Sequence, residues 1–483
     1  MIRQRFKLAA IIGLPLALAG CTTNAEYSAK DAGFTAVEAR VGAGTAKRSV
    51  WIQNREQAAK AEAQVKALLA RKSVDADTAV QIALLNNRGL QAAYADLGDA
   101  SADAWQATML LNPTVSIGTT GIGASELQAY RAIEGLITTN ILALITREKT
   151  IAVADAHFRQ AQLAAALRTL ALAAETRRAW VETVSAWETV GQLNRAQAAA
   201  DASSELAAKL GETGSMGKAD QAREHVFNAE LAGQVAQARL AARLAKENLT
   251  RRMGLWGSDA DYQVPNRLPD LPKDLARRNS IEAEALKRRV DLQLARLELE
   301  AVAKSYRLTD ATRFVSDLTL VAGAEAERER EDGDTKVETT GQGELEFSIP
   351  IFDTGQARLR KAELAHMRAA NLLAEKAVNV RSEARSAYQA YRSRYDIARH
   401  YRNNVVPLRS KIEEEATLSY NGMITSTFEM LADTRAKVDS VILSINAKRD
   451  FWLADADLMT AIHGGGEEGT AVETAAPAAA DAD

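Results

Sequence analysis

The side chains best equipped for chemistry are few in this chain and poorly placed for it. Its 483 residues hold one cysteine and five histidines, His157, His225, His366, His400 and His463. No two of these histidines fall at a metal-ligand spacing such as i, i+4. Isolated methionines do not assemble a soft-metal site, so no metal or other cofactor is expected. Nothing matches a catalytic triad, a phosphate loop or a nucleotide-binding fingerprint, and the chain is not expected to be an enzyme. Trp180 and Trp187, seven apart on one helical face, read as packing residues. With 60 basic and 63 acidic residues the net charge is −3, which gives no footing for nucleic acid.

The lone cysteine, Cys21, is the exception. Arg3, Arg5 and Lys7 precede an apolar stretch, Leu8 to Leu18, that is too short to span a bilayer as a helix. The stretch closes on Leu18-Ala19-Gly20-Cys21, which resembles the lipobox of bacterial lipoproteins. That resemblance implies a signal peptide over 1–20, cleavage before Cys21, and lipid, palmitate included, on its sulfur and new amino group. Thr22 follows, not the aspartate that marks inner-membrane retention, so an outer-membrane location is expected. At the other end, residues 464–483 begin with three glycines and continue in Gly, Glu, Ala and Pro. A segment so poor in large apolar groups is expected to be disordered.

The elements between these ends come twice. Ala156-His157-Phe158-Arg159 returns as Ala365-His366-Met367-Arg368, Glu175-Thr176-Arg177-Arg178 as Glu383-Ala384-Arg385-Ser386, and Gly214 as Gly422. So large a unit is no solenoid repeat; it predicts two copies of one long structural module. After an N-terminal segment (21–72, with a helix over 53–70), the first repeat covers 73–254. It has helix to about Leu110, strands within about 114–145 and a helical hairpin over about 146–253. A connection over 255–279 leads to the second repeat, 280–463, with strands within about 313–351 and a hairpin over about 355–461. The proline-free run from Thr146 to Leu210 makes a rod on the order of 95 Å, and Pro407 is expected to kink its counterpart. In the second repeat, Leu345, Phe347, Ile349 and Ile351 alternate with Glu344, Glu346 and Ser348, a strand with one apolar and one acidic face. In the first, Ile133, Ile137, Ile141 and Ile145 recur every four residues. That spacing fits a helical stripe as well as a strand, and strand is expected only because the second repeat has one. A soluble coiled coil fits the helices alone; the strands argue against it. Four strands cannot close a membrane barrel, which needs about eight or more, so strands that span a membrane here require an oligomer.

Over roughly residues 74–462 the chain resembles the TolC-type outer-membrane efflux proteins. The most specific match is Leu345-Glu346-Phe347-Ser348-Ile349-Pro350-Ile351-Phe352-Asp353-Thr354-Gly355, similar to that family's strand-to-helix junction, with Pro350, Phe352 and Gly355 as its markers. Asn421-Gly422-Met423-Ile424-Thr425 resembles the family's turn at the periplasmic tip, with one extra residue before Leu431. Its first-repeat counterpart is Gly214-Ser215-Met216-Gly217. Ala83-Leu84-Leu85-Asn86-Asn87 resembles the opening helix, with Arg88 where proline is common. The first repeat lacks the Pro-x-Phe junction and has Ala143-Leu144-Ile145-Thr146 in its place.

The resemblance implies a mainly α fold with a small β portion. Three copies would form a long periplasmic α-barrel and a 12-stranded outer-membrane β-barrel, in contact with outer-membrane lipid. It implies a passive exit duct of a tripartite efflux system, working with a periplasmic adaptor (membrane fusion) protein and an inner-membrane pump. The same duct in type I protein secretion is the alternative; a non-pore periplasmic coiled-coil lipoprotein is a more distant one. By the same resemblance Asp220, Glu429 and Asp433 are gate candidates at the periplasmic entrance, since carboxylates repeated around an axis make a negative constriction. Gly214, Met216, Gly422 and Met423 are candidates for docking the adaptor at the tips, where soft methionine suits an adaptable surface.

Overall fold

Alanine, leucine, glutamate and arginine favour helix, and the long segments rich in them are helical throughout. The computed structural model describes residues 27–122, 130–275, 277, 278, 280–331, 334–422 and 424–466. The signal peptide, Cys21, Met423 and the tail beyond Gly466 lie outside the described residues. Two leading helices, α1 (Phe34–Thr45) and α2 (Arg55–Leu69), precede two runs of elements in the same order. The first run is α3 (Ala76–Asn86), α4 (Arg88–Thr108), β1 (Thr114–Thr120), β2 (Ala132–Asn140), α5 (Ile141–Glu212) and α6 (Lys218–Met253). The second is α7 (Ile281–Arg288), α8 (Val290–Ala311), β3 (Leu318–Glu331), β4 (Asp334–Phe347), α9 (Gln356–His400), α10 (Val406–Asn421) and α11 (Thr427–His463). The chain is mainly α with one small sheet, as expected.

The described residues form two compact units. The first takes residues 27–33, 96–162 and 294–375 and contains the sheet. Its strands run in chain order, β1-β2-β3-β4, antiparallel throughout. Alternation sorts the side chains cleanly. Val115, Ile117, Ile133, Ile137, Leu320, Leu345 and Phe347 share one face, and all of these are exposed. Glu134, Glu325, Glu327, Glu338, Glu344 and Glu346 share the other, with Glu134 directly opposite Glu325 and Glu327 opposite Glu338. Facing like charges destabilise a strand pair; here Glu327 is paired with Arg131 at 3.0 Å and Glu134 accepts from Gln342. Among the described residues β1 and β4 each have one neighbour, so both outer edges are open.

The second unit takes residues 34–95, 163–293 and 376–466. Its core includes Ile82, Leu84, Tyr94, Leu249 and Met253, all essentially fully buried. The two repeats meet the same backbone problem here and solve it with different chemistry. Between α3 and α4 Asn87 breaks the helix with φ −68° and ψ 118°; between α7 and α8 Arg289 breaks it with φ −67° and ψ 119°. In the first repeat amides serve the break: Asn86 Nδ2 donates to the Gly254 carbonyl at 2.7 Å and Asn87 Nδ2 to the Arg252 carbonyl at 3.0 Å. In the second, ions do so. Buried Arg289 Nε meets Asp291 Oδ1 at 2.9 Å, Asp291 also meets Lys376 Nζ at 3.0 Å, and Arg289 pairs with Glu383. Removing one member would strand a buried charge, which is far costlier than the pairing is stabilising.

Several sequence expectations need correction. The helices expected over 73–110 and 280–309 are each broken, at Asn87 and Arg289, with no proline or glycine at the break. The N-terminal segment, expected to hold one helix over 53–70, contains a second, α1. The strand expected to reach Ile145 ends at Asn140, and Ile141–Ile145 already belong to α5. Asn140 decides this, because its Oδ1 accepts from the Ala143 amide at 2.9 Å and so caps the helix. Pro407 takes effect ahead of itself: a five-residue π-helical turn, Tyr401–Val405, relieves the missing amide donor before α10 begins. Gly464 and Gly465, expected in a disordered tail, are buried against α5, where a Cβ on Gly465 would lie 2.7 Å from the Ala171 amide nitrogen.

The junction after β4 turns tightly. Gly355 is buried with φ +74°, its amide donates to Asp353 Oδ1 at 2.8 Å, and a Cβ there would lie 2.7 Å from the Arg313 carbonyl oxygen. Gly191 in α5 meets nothing within 4 Å. Gly355→Ala is therefore expected to cost about 1–3 kcal/mol through the left-handed backbone alone. Gly191→Ala is expected to be neutral or stabilising by up to about 1 kcal/mol. Thermal unfolding of the detergent-solubilised variants checks both directions.

Candidate functional site

The sequence places its candidate residues at two helix–helix turns and one strand–helix junction, all well described except Met423. At the first turn α5 ends on Glu212 and the chain reverses through Gly214, whose φ of +73° favours glycine. The Ser215 amide reaches back to the Leu210 carbonyl at 2.8 Å, and the half-buried Met216 accepts from Gln221 Nε2 at 3.0 Å. Asp220 stands in the first turn of α6, where a carboxylate suits the helix N-terminus, and meets Arg223 at 2.7 Å. The second turn differs in geometry. Gly422 has φ −79° and ψ 4°, so its glycine is not required by the backbone. Ser426 caps α11, and the Glu429 carboxylate reciprocates to the Ser426 amide at 3.2 Å, closing a capping box. Asp433, one turn on, has no ion pair among the described residues.

Two of the three gate candidates thus have local partners, though both partners are exposed and such contacts hold a carboxylate by no more than about 1 kcal/mol. One contact that ties the two hairpins together near the turns has no local signal in the sequence. Leu193 and Ala200 of α5, Phe227, Leu231 and Val235 of α6, and Leu431 and Val438 of α11 form one apolar cluster. Over it lies Arg435, its guanidinium 4.7 Å from the Phe227 ring centroid and 2.9 Å from Glu230. Glu230 and Arg435 are 205 residues apart, so no local spacing announces the pair. The only sequence signal is that both residues lie early in the return helices of the two repeats.

Glu224 was also missed. It is 1% exposed on α6, with Oε2 unpartnered. Burial raises its carboxyl above the ordinary 4.5, against the lowering effects of a Ser203 hydrogen bond and the charges of His225 and Arg435. Its neighbour His225 bonds Ser204 of α5 at 2.7 Å.

The strand–helix markers lie between β4 and α9. Pro350 and Phe352 follow β4, the Phe352 ring is fully exposed, and Gly355 admits the chain to α9. The histidines are dispersed: His157 bonds Gln160, His225 bonds Ser204 and His400 bonds Asn404. Among the described residues no group of three His, Cys, Asp or Glu side chains could hold a metal ion. Among the described residues no helix is long and apolar enough to cross a membrane.

Comparison with known proteins gives a family likeness for part of the chain. Residues 283–446 match the family model described as outer membrane efflux protein. Solved structures of outer-membrane channels share the fold over most of the chain. The outer-membrane channel OprN superimposes with a TM-score of 0.68 at 18% identity, covering 81% of this chain and 90% of that one. The CmeC outer membrane channel of Campylobacter jejuni gives 0.66 at 17%, covering 81% and 86%. The outer membrane protein VceC of Vibrio cholerae gives 0.65 at 16%, covering 83% and 97%. At these identities the likeness is one of fold. No curated protein matches the chain by sequence. The efflux family and its structural neighbours are outer-membrane channels, not enzymes.

The buried Glu224 makes stability depend on pH with a definite sign. Its native pKa lies above the unfolded value, so the stability it allows is complete below about pH 4.5 and is lost as pH rises through the native pKa. Glu224→Gln is expected to raise the unfolding midpoint at pH 7.5 and to match the parent at pH 4. Parallel pH series of thermal melts on the two proteins test this.

Proposed function

We propose that the chain is the outer-membrane exit duct of a tripartite efflux system, passively conducting substrate delivered by an inner-membrane pump through a periplasmic adaptor. The observation that carries this reading is the uncovered sheet. Four antiparallel strands with an exposed apolar face, an acidic face and two open edges suit one third of a closed barrel between lipid and water. Three copies supply twelve strands, and outer-membrane channels of this family are homotrimers. The hairpins α5–α6 and α9–α11 then form the periplasmic wall, with Gly214, Met216, Gly422 and Met423 at the ends that meet the adaptor. Lipid on Cys21 adds an anchor in the outer membrane.

Asp220, Glu429 and Asp433 line the entrance in this reading and bias it toward cations. Purified trimers in a planar bilayer are expected to conduct and, under a salt gradient, to prefer cations. The combined variant Asp220→Asn, Glu429→Gln, Asp433→Asn is expected to keep its fold, because glutamine also completes a capping box. Its reversal potential should move toward zero. Absence of any channel current in both proteins would overturn the duct, whereas unchanged selectivity would overturn only the entrance assignment.

A further inference from the structure

A cleft of about 470 Å³ opens in the second unit between the connection that follows α6 and the middle of α9. Lys273 and Arg277 line it from the connection, and Arg392 and Arg399 from α9. Among the described residues none of these four cations forms an ion pair. Nearby cations are occupied: Arg278 by Glu284 at 2.9 Å, Arg394 by Asp450 at 3.2 Å and Arg385 by Glu282 at 3.5 Å. Asp274 and Asp396 also line the cleft, so positive charge exceeds negative there by two. The floor is held rigid. Tyr395 Oη donates to the Pro272 and Lys273 carbonyls at 2.9 Å, Tyr388 Oη accepts from the Arg278 amide at 3.2 Å, and Tyr395 packs edge-on against Phe451 of α11.

We propose that this cationic cleft is the docking site of the chain's own acidic segment 467–483. That segment carries Glu467, Glu468, Glu473, Asp481 and Asp483 and no lysine, arginine or histidine. It starts beyond Gly466, from a point fixed where Gly465 is pressed onto the backbone of Leu170 and Ala171. From His463 back along α11 to Phe451, beside the cleft, is twelve residues, about 18 Å of helix. Seventeen residues of extended chain reach up to about 56 Å, so the segment spans the distance with length to spare. Tethering of this kind gives an effective concentration on the order of millimolar. Exposed ion pairs are individually weak, about 0–1 kcal/mol, and are screened by salt. Docking therefore requires several carboxylates at once and fails at high ionic strength.

The test uses the full-length protein in detergent with the photocrosslinker p-benzoylphenylalanine in place of Val472. Peptide mapping after illumination is expected to find most crosslinks on residues 273–277 and 388–399. In 1 M salt, and separately in Arg392→Glu, Arg399→Glu, their yield should fall at least five-fold. Trimers reassembled from a mixture of isotopically heavy and light copies should give no heavy–light products on illumination. Crosslinks concentrated elsewhere, a yield indifferent to both salt and charge reversal, or products joining heavy to light copies would each overturn the proposal. The salt arm decides the matter even if the double variant does not fold.

Discussion

An edge strand carries unpaired amides and carbonyls, and inside a bilayer they have no water to turn to. In this chain that requirement falls on β1 and β4, whose outer edges meet no other described strand. The sheet compounds the demand by leaving both faces bare, one apolar and one lined with glutamates. No rearrangement of four strands satisfies edges and faces together. On the duct reading, further strands come from other copies of the chain, with lipid on one side and water on the other. The remaining architecture follows from that: strands entered and left by long helices, and helices returned by tight turns at Gly214 and Gly422.

Much of this could be read in the amino-acid order, and the failures have physical causes. The duplication, the helical hairpins and the two-faced β4 were legible because period and composition state them directly. The Pro350–Gly355 junction was legible because proline and glycine leave few backbone options. The breaks at Asn87 and Arg289 were not, because neither residue is a helix breaker. Each break is imposed by what the side chain finds across the unit, the carbonyls of Arg252 to Gly254 in one case and Asp291 with Glu383 in the other. Ile141 and Ile145 were misassigned since a four-residue isoleucine spacing serves strand and helix equally, and only the Asn140 cap settles it. At the candidate entrance, sequence located the turns but could not show that Glu429 closes a capping box or that Asp220 meets Arg223.

The two repeats are also not interchangeable in their electrostatics. The first holds its helix break with neutral amides and the second with a buried ionic group. The carboxylates of the two turns differ as well, one ion-paired and one turned back on its own helix. At the helix breaks the backbone angles agree while the side-chain chemistry differs, as expected where several polar groups can satisfy the same backbone; at the turns the backbone itself differs.

Phe227 lies under Arg435, one on the return helix of each hairpin. In a symmetric dimer of single modules every change on one side of such a contact is made in both copies. With both modules in one chain, the ring and the guanidinium each change without altering the equivalent position of the other hairpin. The seam between the hairpins is thereby free to become asymmetric.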